Sequence, residues 1–337
     1  MRLALMGIIT ATTLLFSAQN CKSEFNWKIE TGSRGGTYYP MGEDLAQWVA
    51  PKACINLTPE VTHGSLENIW RLRKVPHVKL AIVQMDVMAY FQKLAENGNK
   101  IAQDIVNKLR VIKPLYIEEV HFITRKDSQF VRVQDIKEAK IEIGPKGSGT
   151  ALTSKIIYRE LFHQDLPSNQ KFQDDLKTAI RNLQEGRVDV VIVVGGQPLS
   201  GLKLGEKGKG LKFLVYDSKH PLQVKNYEIT YIKPTSYSWS RKRIPTLGVR
   251  SYLITFNYKS TATVGLGRLG FWLHQKLPIL KREGHPKWRE VNEELPPETQ
   301  LPFGWKYYIY SKAGYQYQPG TPCNQILKRI GLCRKGE

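Results

Sequence analysis

The sequence predicts an α/β protein built as two lobes, each around a mainly parallel sheet. Three observations carry that prediction. Strand-like and helix-like stretches alternate, joined by turns that bear glycine. The alternation occurs twice, once near the start and once in the middle of the chain. Two long extended stretches, 109–125 and 246–256, separate the blocks and read as crossings between lobes.

The first block opens with an alternating strand over 26–31 that runs into Gly32-Ser33-Arg34-Gly35-Gly36-Thr37. Helical spacing follows over 39–49. A second strand fits 56–62 and ends at Gly64-Ser65, a helix fits 66–73, and a third strand fits 79–83. In the middle block a strand over 140–144 runs into Pro145-Lys146-Gly147-Ser148-Gly149-Thr150 and a helix that continues to Phe162. A helix over 174–185 leads to 188–194, whose valine-rich run fits a strand buried on both faces. A strand over 211–216 follows, within a lysine- and glycine-bearing stretch (203–219) that reads as a solvated loop. Lobe one is expected to take 24–118 and 250–337, and lobe two 119–249.

The chain has 337 residues, enough for two domains with a well-buried core. With 41% hydrophobic and 24% charged residues it is neither disordered nor collagen-like nor a coiled coil. Its 50 basic against 30 acidic side chains give a formal charge of +20. Such a balance points either to an anionic partner or to a well-solvated surface. Residues 1–20 combine Arg2, an apolar run from Leu3 to Phe16, and the small residues Ser17 and Ala18. That is the pattern of a secretory signal peptide, and it predicts an exported, periplasmic protein. Asn20 stands before Cys21 where lipid attachment wants a small residue, so a lipoprotein anchor is not expected. Cys21, Cys54, Cys323 and Cys333 make an even count, which suits disulfides in an oxidising compartment. Spacing permits a local Cys323–Cys333 loop and a Cys21–Cys54 tie, and leaves all three pairings open.

Candidate binding residues lie in four turns at the carboxyl ends of predicted strands, where open α/β sheets bind ligands. They are Gly35-Gly36-Thr37-Tyr38, His63-Gly64-Ser65 with Asn68, Gln84-Met85-Asp86, and Gly147-Ser148-Gly149-Thr150. Glycine lets backbone N–H groups approach an anion, and a following helix N-terminus adds positive potential. Each Ser or Thr has an ordinary alternative as a helix N-cap.

Catalytic readings fail on residue type. No Lys precedes Thr150, so the glycine-rich turn lacks the charge partner of a nucleotide triphosphate. Gly265-Leu266-Gly267-Arg268-Leu269-Gly270 matches G-x-G-x-x-G, but what precedes it is not a buried strand. The seven histidines show no metal spacing, so no metal or other cofactor is expected. Adjacent carboxylates such as Glu118-Glu119 point apart on a strand and read as solvated faces. The cluster Arg241-Lys242-Arg243 has no nucleic-acid module around it, and nucleic acid is not an expected partner.

Taken together, T-G-S-R-G-G-T-Y-Y-P-M-G, H-G-S-L-E-N, A-I-V-Q-M-D, G-P-K-G-S-G-T and V-G-G-Q-P resemble the TAXI family. Its members are solute-binding proteins of tripartite ATP-independent periplasmic (TRAP) transporters. The resemblance runs over roughly 27–256. It implies a type II periplasmic-binding-protein fold, two α/β lobes with a hinge and a ligand cleft. It also implies a monomer, not an enzyme, that captures a small anionic or zwitterionic solute such as glutamate or glutamine for a TRAP-type membrane permease. Carried over by motif, the binding loops fall on Gly36, Thr37 and Tyr38, on Gly64, Ser65 and Asn68, on Gln84 and Asp86, on Ser148, Gly149 and Thr150, and on Gly195 and Gly196. His63 and Met85 depart from the family pattern and are expected to reshape the pocket. Hydroxyls of Thr37, Ser65, Ser148 and Thr150 would hold a carboxylate, Gln84 a second polar group, and Tyr38 would wall the cleft. Two other classes suit the residues less well: a binding module for a sensor or ATP-driven transporter, and an exported enzyme or surface-interaction protein suggested by the charge and the tyrosine-rich tail.

Overall fold

A computed structural model describes residues 23–167, 171–172, 175–225 and 227–333. The leader read over 1–20 and Cys21 lie outside the described residues. Among those described, no helix is long and apolar enough to cross a membrane.

The chain begins β1 (Phe25–Glu30), α1 (Tyr38–Asp44), β2 (Ile55–Glu60), α2 (Ser65–Lys74), β3 (Val78–Gln84), α3 (Met85–Glu96) and α4 (Lys100–Lys108). The long β4 (Leu109–Arg125) leads into β5 (Ile141–Ile143), α5 (Gly149–Phe162), β6 (Lys171–Phe172), α6 (Leu176–Gln184), β7 (Val190–Gly195), β8 (Leu211–Phe213) and β9 (Glu228–Ile232). It returns through the long β10 (Ile244–Phe256) and closes with α7 (Ala262–Glu283), α8 (Ile309–Gln316) and α9 (Gln325–Ile330).

The strands form one sheet in the order β2-β1-β3-β10-β4-β7-β5-β6. Its two halves repeat one plan. In lobe one β2, β1 and β3 are parallel and β10 runs against them. In lobe two β6, β5 and β7 are parallel and β4 runs against them. The crossing strands pair with each other, from Gly248↔Glu119 to Phe256↔Leu109. This is the two-lobed type II periplasmic-binding-protein architecture, with β4 and β10 as the hinge.

Burial divides the same way. One apolar cluster packs β1 and β2 under α1 and α7, and a second packs β3 under α2, α3 and α4. Two further clusters enclose β7, one toward α5 and one toward α6. The extended reading of 109–125 coincides with β4. The helix expected over 39–49 is regular only to Asp44; it widens to a π turn over Leu45–Val49 and tightens over Ala50–Ala53, where Pro51 has no N–H to donate. The stretch 203–219 is not a wholly solvated loop, because Leu211, Phe213, Leu214 and Tyr216 are buried. Only Leu211–Phe213 of the strand expected over 211–216 pairs regularly, against the end of β4. Cys323 and Cys333 are joined, closing a short loop around α9.

The G-x-G-x-x-G match lies inside α7 and is a packing surface. A Cβ at Gly270 would sit 2.2 Å from the Ser311 carbonyl oxygen, and one at Gly314 on α8 would sit 2.1 Å from the Gly267 carbonyl oxygen. Neither neighbour is a flexible side-chain end, so α7 and α8 cannot keep this separation with a methyl between them. Gly314→Ala is therefore expected to cost about 1–3 kcal/mol, read as a lower urea midpoint. A wild-type midpoint would contradict this packing.

Candidate functional site

The strands β1, β2, β3, β5 and β7 all deliver their carboxyl ends to the space between the lobes. That convergence leaves a cavity of about 300 Å³. Lobe one lines it with the 32–38 turn, Thr62–Ser65, Gln84 and, from the hinge, Glu118. Lobe two contributes Glu142–Pro145, Ser148–Thr150, the start of α6 and the end of β7.

The lobes are in contact across the cavity mouth. The Thr37 hydroxyl donates to the Gly196 carbonyl at 3.0 Å, and the Ser200 hydroxyl donates to the Gly35 carbonyl at 2.8 Å. Deeper, the Asp86 carboxyl accepts from the Thr153 hydroxyl at 2.5 Å and the Tyr227 hydroxyl at 2.8 Å, both from lobe two. Burial raises the Asp86 pKa above the ordinary carboxylate value, and these donors oppose the rise. Gln84 donates to the Thr153 hydroxyl at 3.3 Å while its oxygen accepts from the Ser65 hydroxyl at 3.1 Å. A Cβ at Gly149 would lie 1.6 Å from that Gln84 oxygen, so a side chain there pushes the Gln84 amide off its bonds to Ser65 and Thr153.

The residues singled out from the sequence therefore fall into two groups. Gly36, Thr37, Tyr38, Gly64, Ser65, Gln84, Ser148, Gly149, Thr150 and Gly195 line the cavity. Asn68, Asp86 and Gly196 do not. Asn68 is a brace inside lobe one: it accepts from the Thr62 hydroxyl at 2.6 Å and donates to the Thr31 and Ile82 carbonyls at 2.5 and 2.8 Å. Asp86 and Gly196 hold the lobes together. His63 sits at the exposed rim, with its backbone N–H bonded to Glu67 at 2.9 Å. Met85 is not among the residues that line the cavity; it packs against apolar clusters of both lobes.

Hydroxyl chemistry is also partly committed. Thr37 and Ser65 donate their protons within the protein. Ser148 is the N-cap of α5, its oxygen accepting from the Ala151 N–H at 3.0 Å, and the Thr150 oxygen accepts from the Val194 N–H at 3.1 Å. Both thus use an acceptor position and keep a proton to donate.

Glu118 and Glu119 are the residues that sequence reasoning misread. Alternation does point them apart, but the hinge strand has protein on both sides, so neither is solvated: they are 3% and 2% exposed. Glu118 faces the cavity and accepts from the Tyr38 hydroxyl at 2.7 Å. Burial pushes its pKa up to about 8; the Tyr38 bond lowers it, and Asp86 and Glu119 raise it further. Glu119 turns to the other face. There it pairs with buried Lys287 at 2.7 Å and accepts from the Gln197 N–H at 2.8 Å, tying the C-terminal segment to lobe two. Glu142, on β5, is a second buried carboxyl on the cavity wall that the sequence reading did not identify. A lone Glu in a three-residue strand carries no motif that would have marked it.

A family model described as the NMT1-like family matches residues 29–264. Among solved structures, an ATP-bound protein from Xanthomonas citri is 11% identical, with 86% of this chain and 97% of that one covered and a TM-score of 0.47. The arginine-, lysine-, histidine-binding protein ArtJ from the thermophilic bacterium Geobacillus stearothermophilus is 12% identical, with 82% and 98% covered and a TM-score of 0.47. A histidine kinase sensor domain with similarity to periplasmic binding proteins is 12% identical, with 80% and 94% covered and a TM-score of 0.46.

The Glu118 proton gives a pH signature. Below about 4.5 its carboxyl is protonated whether the chain is folded or not. Between about 4.5 and about 8 the unfolded chain releases the proton and the folded chain keeps it, so rising pH favours unfolding through this group. Glu118→Gln is expected to flatten the fall of Tm across that window. A variant with the wild-type slope would show that Glu118 does not hold its proton.

Proposed function

We infer a binding role from two premises: this chain belongs to the NMT1-like family, and its two lobes enclose a polar cavity lined by the turns at the strand ends. The proposed function is capture of a small solute, of the amino-acid or carboxylate class, by a monomeric periplasmic protein that hands it to a TRAP-type permease. The motif resemblance to TAXI proteins supports the permease, the class of solute and the export; the closed cavity supports capture. Lobe one would be 24–118 with 250–337, and lobe two 119–249, since the apolar clusters divide close to those limits.

The carrying observation is the fit of the lobes around the cavity. A solute seated first on the 32–38 and 62–65 turns would meet Ser148, Gly149 and Thr150 only as lobe two swings in about the β4–β10 hinge. The 14-residue α5 then presents its N-terminal N–H groups and positive end to the cavity, which suits a carboxylate. Thr37–Gly196 and Asp86–Thr153 form in the same motion. Release requires these bonds to break, so the cavity opens and closes as a unit. The captured solute leaves chemically unchanged.

Native mass spectrometry of the purified protein is expected to show one small solute per chain, recovered intact on denaturation. Gly149→Ala places a methyl against Gln84, and is expected to weaken retention at least about tenfold while the variant still folds. A chemically altered product, or full retention by Gly149→Ala, would contradict capture by closure.

A further inference from the structure

Glu142 is 1% exposed, lines the cavity and forms no ion pair among the described residues. Among the described residues its side-chain hydrogen bonds come from a single group: the Asn182 amide nitrogen approaches its two oxygens at 3.3 and 3.1 Å. That amide is itself oriented, because the Asn182 oxygen accepts from Arg187 Nε at 2.9 Å. A carboxylate offers about four acceptor positions, and burying them without donors is costly. Arg187, Asn182 and Glu142 thus form a supported chain that ends in unused acceptor capacity at the cavity wall.

The remaining wall sharpens the contrast. Among the described residues no arginine lines the cavity, and the lysine that does, Lys177, is exposed at the rim. The opposite character lies at the start of α5, where Ser148 and Thr150 keep protons to donate beside the first-turn N–H groups. The lobe-two wall of the cavity thus carries both donating groups and an accepting one.

We propose that the cleft selects a solute with a single carboxylate, held at the start of α5, whose second polar group is an N–H donor (amide, amine or amidine) and not another carboxylate, the donor seated on Glu142. A dicarboxylate would set its second charge against Glu142 and is discriminated against. This rests on the capture role proposed above and names the solute class within it.

L-Glutamine and L-glutamate are nearly isosteric and differ at the group in question; L-arginine adds a cationic donor end. Titration calorimetry of the full chain, freed of bound solute, is expected to show glutamine or arginine binding at least about tenfold more tightly than glutamate. Glu142→Gln, checked by its melting curve, is expected to erase that preference. Glutamate binding as tightly as both others overturns the proposal, as does an unchanged preference in a folded Glu142→Gln. If none of the three binds, the solute recovered by mass spectrometry decides: one with a single carboxylate and an N–H donor supports the proposal, and one with a second carboxylate or with no N–H donor overturns the proposal while leaving capture intact. No bound solute and no heat overturns capture itself, and this proposal with it.

Discussion

Everything distinctive about this molecule depends on the antiparallel pairing of β4 with β10. Each strand belongs to both lobes, and their pairing from Gly248↔Glu119 to Phe256↔Leu109 is the covalent and hydrogen-bonded axis on which the lobes meet. Lobe one cannot complete its sheet without β10, nor lobe two without β4. The hinge is therefore not a linker added to two finished domains. It is part of both cores, which limits relative motion to bending and twisting of two strands.

That constraint explains the buried charges. A strand with protein on both faces has no solvated side for adjacent polar residues. Glu118 and Glu119 leave it in opposite directions and meet different solutions to the same burial cost. Glu118 keeps its proton and binds Tyr38; Glu119 takes Lys287 as its counter-ion. Lys287 is reached from far along the sequence, and also meets Glu290 at 2.7 Å, which in turn pairs with Lys233 of lobe two at 2.9 Å. The C-terminal segment thus braces the hinge from the side away from the cavity. Breaking one partner of such a buried group is more damaging than its surface equivalents, because the other is left without compensation.

Much of the fold was legible because the alternation of strands, glycine turns and helices has a local cause. The crossing strands stood out by length, and the cavity-facing turns by their glycines. What stayed hidden was non-local. Asn68 looks like a binding residue in H-G-S-L-E-N, yet its amide braces the 31 and 82 backbone from within lobe one. Met85 departs from the motif that the segment resembles, but packs against apolar clusters of both lobes. Glu142 shows no signal at all until the β5–β7 register sets it beside Asn182 and the cavity. Pairing partners far apart in sequence decide these roles, and no spacing rule reaches them.

The positive charge of +20 lies largely outside the cavity, on exposed groups such as Lys207, Lys209, Arg241 and Lys242. It bears on association with anionic surfaces and on its salt dependence, not on the chemistry inside. The central claim is that the lobes close over a solute. Spin labels at exposed Lys52 and Lys140, one on each lobe, report this directly by electron double resonance. The account predicts a short, narrow distance distribution with solute bound and a longer, broader one after solute is stripped. One unchanged distribution in both states would contradict it.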